Sequence, residues 1–176
     1  METYILLFRG INVGGKNLLP MKDLIALLEG AGYPNVKTYI QSGNVVLQSE
    51  TNPADGIAKS IEEIFGFKPV VIAFEARRWV SVVSNNPFNV TEGKNMHFYF
   101  PSDTLNADID RLTRLAATTE KYKIVDNIFY LHAPEGIGRS KLVAQIEACL
   151  GVPATGRNSN TVKKLLAMSQ SHSTAN

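Results

Sequence analysis

The feature that most constrains this chain is an order of periodicities that occurs twice. Tyr4-Ile5-Leu6-Leu7-Phe8 is an apolar run of strand length. Met21, Leu24, Leu27, Leu28 and Ala31 then recur at helical spacing behind Pro20, and Gly30, Gly32 and Pro34 end that helix. Val36 to Gln41 alternates and Asn44 to Gln48 resumes the extended run, so Ser42-Gly43 predicts a tight two-residue hairpin turn. Asn52-Pro53 supplies a cap and first-turn pair for a helix carried by Ile57, Ile61, Ile64 and Phe65, and Pro69 to Phe74 is a fourth strand. Strand, helix, strand, strand, helix, strand with right-handed crossovers is the split βαβ of a ferredoxin-like unit.

Residues 76–84 predict a short connecting helix with Ala76, Trp79, Val80 and Val83 on one face, broken by Asn85-Asn86-Pro87. From Asn95 the order begins again. Met96 to Phe100 is a strand and Leu105, Ile109, Leu112 and Leu115 mark a helix. Tyr122 to Val125 and Ile128 to His132 pair across Asp126-Asn127, and a helix on Leu142, Ile146, Cys149 and Leu150 leads to a short strand at Ala154-Thr155. Val162, Leu165, Leu166 and Ala167 predict a last helix capped by Asn160 or Thr161, before a polar tail from Ser169 that frays. The expectation is an α+β chain of two tandem ferredoxin-like (βαββαβ) subdomains, 1–75 and 95–158. A connector helix and loop occupy 76–94, and a C-terminal helix and tail 159–176. The halves share pattern and negligible identity, so the repeat is one of topology.

Composition excludes more than it assigns. With 176 residues the chain buries a real core, and 18 basic against 16 acidic side chains leave a net charge of +2, too small to imply a nucleic-acid or membrane partner. Any basic patch must be local. One cysteine, Cys149, rules out an intrachain disulfide. No apolar run reaches the roughly 18 residues of a membrane span and no signal-like start is present, so the expected location is cytoplasmic.

Chemistry concentrates in loops. Arg9-Gly-Ile-Asn-Val-Gly-Gly-Lys-Asn17 joins a strand to a helix, and Gly10, Gly14 and Gly15 let the main chain take φ > 0 and let a ligand approach its N–H groups. From Gly10 to Lys16 the spacing matches the phosphate loop of nucleoside triphosphatases. The match fails at Asn17, where magnesium needs a hydroxyl, and Leu18-Leu19-Pro20 delays the helix. Gly136-Ile-Gly-Arg139-Ser-Lys141 and Thr155-Gly-Arg157-Asn158 likewise bring glycine and cations to helix starts, where N–H groups and the dipole favour anions. Ser140 and Asn160 are also ordinary capping residues.

Together, Arg9 to Asn17, Tyr39-Ile-Gln-Ser-Gly-Asn-Val45, Gly136 to Lys141, and Thr155 to Asn158 with Asn160-Thr-Val162 resemble the blocks of the bacterial family known as domain of unknown function 1697. The resemblance runs along nearly the whole chain, in order. Ser159 departs from it where a tryptophan is expected. It implies a fold of duplicated ferredoxin-like units and carries no activity.

Other candidates are thin. His97, His132 and His172 lack partners at metal-ligand spacing, Cys149 falls on an apolar stripe, and Glu62, Glu63, Asp108 and Asp110 read as solvated faces. Ser42 has no evident base. No metal and no catalytic set is expected, and the cofactor and oligomeric state stay open. The leading expectation is binding of an anionic or phosphorylated small molecule, a nucleotide among the candidates. Arg9, Lys16, Arg139, Lys141 and Arg157 supply charge, Asn12, Asn17, Gln41, Asn44 and Asn158 hydrogen bonds, Gly14 and Gly15 backbone N–H groups, and Tyr39 a polar end reaching the Arg9 loop. Two alternatives stand beside it: an RNA-binding sheet using aromatics such as Tyr4 or Tyr99, and a phosphoryl-transfer enzyme on the Arg9–Asn17 loop, which needs a magnesium carboxylate where the strands offer none well placed beyond Glu75 at the end of one.

Overall fold

The computed structural model describes residues 1–41 and 43–171. Ser42, in the expected hairpin turn, and 172–176, with His172 and the end of the polar tail, lie outside the described residues. The chain is mixed α+β with two four-stranded antiparallel sheets. It divides into two compact units, one of Met1–Ser81 with the described residues 164–171, the other of Val82–Lys163.

In the first unit the order is β1 (Glu2–Arg9), α1 (Met21–Gly30), β2 (Lys37–Thr38), β3 (Asn44–Ser49), α2 (Ala54–Phe65) and β4 (Val70–Glu75). The sheet order is β2-β3-β1-β4, with Tyr4 opposite Leu47 on one side and Glu75 on the other. Side chains alternate along β1, so Tyr4, Leu6 and Phe8 share one face and join Val45 and Leu47 in a core with Leu24 and Leu28 of α1 and Ile57 and Ile61 of α2. Each of those four helix residues is essentially unexposed, a burial that contributes about 2 kcal/mol per side chain. Ile5, Leu7 and Val46, on the opposite face, are fully buried too. A strand covered on both faces has no solvated positions, which is why Tyr4 to Phe8 is apolar without interruption.

The second unit repeats the arrangement with β5 (Met96–Pro101), α4 (Ile109–Leu115), β6 (Lys121–Val125), β7 (Ile128–His132), α5 (Lys141–Ala144), α6 (Ile146–Leu150) and β8 (Ala154–Asn158), in sheet order β6-β7-β5-β8. Tyr99, Phe129 and Leu131 face Leu112, Leu142, Cys149 and Leu150 from its helices. Asp126 and Asn127 turn β6 into β7 with φ of 51° and 63°, a conformation their short polar side chains tolerate. α3 (Ala76–Ser84) lies between the strands of the two sheets in sequence, and α7 (Ser159–Gln170) ends the described chain.

Five sequence expectations need correction. The strand expected over Val36 to Gln41 is only Lys37–Thr38, because Ile40 takes φ 52° and leaves the extended region. In α3 it is Trp79 and Val82 that are buried, while Val80 is exposed. Leu105 precedes α4, which Asp108, exposed as expected, caps by accepting from Arg111 N. The single helix expected around Leu142 to Leu150 is two, broken at Gln145, whose φ and ψ leave the helical well. The last helix begins at Ser159, its first turn capped by Asn158 Oδ1 accepting from Thr161 N at 3.0 Å. No described helix is long and apolar enough to cross a membrane.

Candidate functional site

In the first unit the loop after β1 builds its own shape. Val13 and Lys16 form an isolated antiparallel bridge around Gly14-Gly15, both at positive φ (58° and 72°), which is a miniature hairpin. Asn12 and Asn17 sit in the left-handed region at 53° and 51° and brace its base. Asn12 Nδ2 donates to Leu19 O (2.8 Å) and Gln41 O (3.2 Å), its Oδ1 accepts from Leu19 N (2.7 Å), and Asn17 Nδ2 donates to Gly10 O (2.9 Å). Both amides are therefore structural braces.

Tyr39–Gln41 and Gly43 are fastened to this loop. Phe8 N donates to Gly43 O at 2.9 Å, and a Cβ on Gly43 would stand 2.7 Å from Ile11 Cδ1 and Phe8 Cβ, so only glycine fits there. Asn44 is fully buried and donates to Tyr39 O at 2.9 Å, while Tyr39 N donates to Asn44 O. Gln41 reaches the Arg9 loop through its carbonyl; its side chain is exposed. Ile40, a β-branched residue at positive φ, is a strained position held by this lacing. The result is a rigid pair of loops carrying Arg9 and Lys16, with Val13, Leu18 and Ile40 half or more exposed around them. Lys16 Nζ and the N–H groups of Gly14 and Gly15 have no partner among the described residues.

The basic residues of the second unit stand differently. Arg139 is exposed on a cavity of ≈ 320 Å³ shared with Glu120, Glu135 and Ser140. Glu120 accepts from Ser140 Oγ (2.6 Å) and Ala117 N (2.8 Å), and Glu135 from Thr119 Oγ1 (3.0 Å), so carboxylates surround the cation. The helix that Lys141 opens has four residues, and Ser140 Oγ takes Val143 N, leaving little of the dipole expected at this position. Arg157 lies within β8 opposite Phe98 and not in a turn. It is 9% exposed, donates to Thr155 Oγ1 (2.7 Å) and Gly156 O (2.9 Å), and burial pulls its pKa down to about 10, still charged at neutral pH. Asn158 is occupied as the α7 cap.

His97 Nε2, in β5, is buried without a partner, and burial lowers the pKa of the ring against a backbone hydrogen bond to Lys94 that raises it. Burial raises the Cys149 thiol, which makes it an inert core group. Among the described residues no three His, Cys, Asp or Glu side chains cluster to hold a metal ion.

The family described as "Protein of unknown function (DUF1697)" matches residues 1–130. The chain belongs to the DUF1697 family. The matched stretch contains the Arg9–Asn17 and Tyr39–Val45 blocks and stops short of Gly136–Lys141 and Thr155–Val162. The chain is also similar in structure to the conserved bacterial protein SP0830 from Streptococcus pneumoniae, with a TM-score of 0.70 and 22% identity over 96% of this chain and 98% of that one. That likeness is one of fold. No curated protein matches.

One feature of this DUF1697 chain escaped sequence reasoning. A cavity of ≈ 770 Å³ in the first unit is lined by Tyr4, Asn52, Glu75, Arg77 and Arg78, residues from β1, the turn before α2, β4 and α3. The only local signal was the pair Arg77-Arg78 on a helix read as a connector.

Proposed function

We propose that the chain binds an anionic or phosphorylated small molecule, a nucleotide among the candidates, on the Arg9–Asn17 loop of the first unit. One observation carries this reading: on a loop otherwise tied down by its own amides, the Gly14 and Gly15 N–H groups and the Lys16 ammonium are left without partners among the described residues. Preformed donors beside a cation bind an oxyanion without the entropy of ordering a flexible loop. Arg9 at the end of β1 adds the second positive charge. ATP without magnesium, or inorganic phosphate, should raise the melting temperature of the chain, and Lys16→Ala with Arg9→Ala should remove that shift. An equal shift in the double variant would end the reading.

Each unit is, in this proposal, ferredoxin-like, a reading supported by the antiparallel orders β2-β3-β1-β4 and β6-β7-β5-β8. An RNA-binding sheet would need Tyr4 and Tyr99 in the open, and both are buried in helix-facing cores. Phosphoryl transfer on this loop would need a helix starting at Lys16, and α1 starts at Met21. The binding reading is therefore the one carried forward, with a cytoplasmic setting as part of it.

A further inference from the structure

The cavity of ≈ 770 Å³ lies by the start of β1, where Tyr4 pairs with Glu75, whereas the Arg9 loop leaves the opposite end of that strand, about 17 Å away along it. Its volume falls within the roughly 300–1,000 Å³ of pockets that take small organic molecules. Tyr4 is 6% exposed, with its ring in the core of the first unit. Its hydroxyl is not among the sealed polar atoms, and it has no hydrogen-bond partner among the described residues. A phenol that buries its ring and keeps an unbonded O–H on a cavity wall has a donor to offer whatever fills the cavity.

Arg77 stands beside it. Its Nε donates to Glu75 Oε2, and Tyr4, Glu75 and Arg77 line the same cavity. A guanidinium has five N–H donors. Glu75 holds one of them, and no other hydrogen bond of Arg77 occurs among the described residues. Glu75 thus orients the fork and leaves its terminal nitrogens to pair with a planar or tetrahedral oxyanion. Two arginines against one glutamate give the wall a net positive charge.

We propose that this cavity is a second binding site, for a small organic oxyanion (a carboxylate or a phosphate ester) held by the Arg77 guanidinium and the Tyr4 hydroxyl, with Glu75 as the positioning residue. It is independent of the Arg9–Asn17 loop.

The test is a titration of the full ¹⁵N-labelled chain with benzoate and with phenyl phosphate, followed by amide NMR shifts. At least one probe should move the amides of Asn52, Glu75, Arg77 and Arg78 saturably, and which one does so separates a carboxylate from a phosphate ester. Tyr4→Phe and Arg77→Gln should each weaken that binding about tenfold, the loss of one hydrogen bond to a charged group, and their spectra report directly that they fold. Lys16→Ala should leave it unchanged, which distinguishes this site from the loop. No saturable shift at these amides with either probe, or equal affinity in both cavity variants, would overturn the proposal.

Discussion

Asn12 shows how a side chain that reads as a ligand donor can instead be a structural brace. Its amide closes three hydrogen bonds to Leu19 and Gln41 from a left-handed backbone position that asparagine tolerates and alanine does not. Asn12→Ala should cost about 4 kcal/mol in urea unfolding, from roughly 1 kcal/mol for each of the three lost hydrogen bonds plus about 1 kcal/mol of backbone strain. His97 makes the complementary case for a buried group that must stay neutral. Its folded pKa lies below the ordinary 6.5, so at acid pH the unfolded chain binds a proton that the native one refuses. The sign follows: stability is intact above pH 6.5 and falls as pH drops below it, at up to about 1.4 kcal/mol per unit until the depressed folded pKa is reached. His97→Asn, which keeps a donor for the Lys94 backbone and loses the titration, should flatten that acid limb in denaturation curves collected from pH 7.5 to 5.

At the level of elements, α7 depends on a cap two residues earlier than its sequence advertises. Asn158→Ala should destabilise the chain by about 1 kcal/mol, and Asn158→Asp, another good cap, should recover most of it by thermal unfolding. Sequence places Asn160 and Thr161 in view as equally good caps, and only the length of β8 decides between the three. Elsewhere the elements were legible where one strong local rule operated. The apolar periods of α1 and α2 and the Asp126-Asn127 turn are of this kind. They were illegible where a distant contact overrode local preference. β2 stops after Thr38 because the chain must lace itself to Asn12 and Ile11, which forces Ile40 into a conformation its branched side chain resists. The candidate site divides in the same way. Arg9, Lys16 and the glycines could be picked out from composition, whereas the Tyr4 and Arg77 cavity joins positions 4, 52 and 73–81 that no short pattern connects.

For the whole molecule, the buried titratable groups set a window of pH. Tyr99, 5% exposed, has its pKa pushed up from 10.0 to about 12, chiefly by burial, with Glu120 adding repulsion. Its folded pKa is raised, so its contribution is complete below pH 10 and is lost as pH rises from there to about 12, by about 1.4 kcal/mol per unit. His97 acts on the acid side; on the alkaline side the raised Cys149 thiol adds to the loss above pH 9 and the lowered Arg157 guanidinium opposes it above about 10, so Tyr99→Phe should lose less stability than the parent chain between pH 10 and 12 in denaturation curves. The division into units makes a second prediction. Residues 164–171 belong with Met1–Ser81, and they include buried Leu165 and Ser169 and a Ser171 hydroxyl that accepts from Lys37 Nζ at 3.4 Å. A chain ending at Lys163 should therefore lose at least about 2 kcal/mol, and its Lys37–Thr38 amides should exchange with solvent faster than in the longer chain. This threading also bears on biosynthesis. The piece that completes the N-terminal unit leaves the ribosome only after all of Val82–Lys163 has been made, so a nascent chain carries its earliest-translated half unfinished while the later half already has every residue it needs.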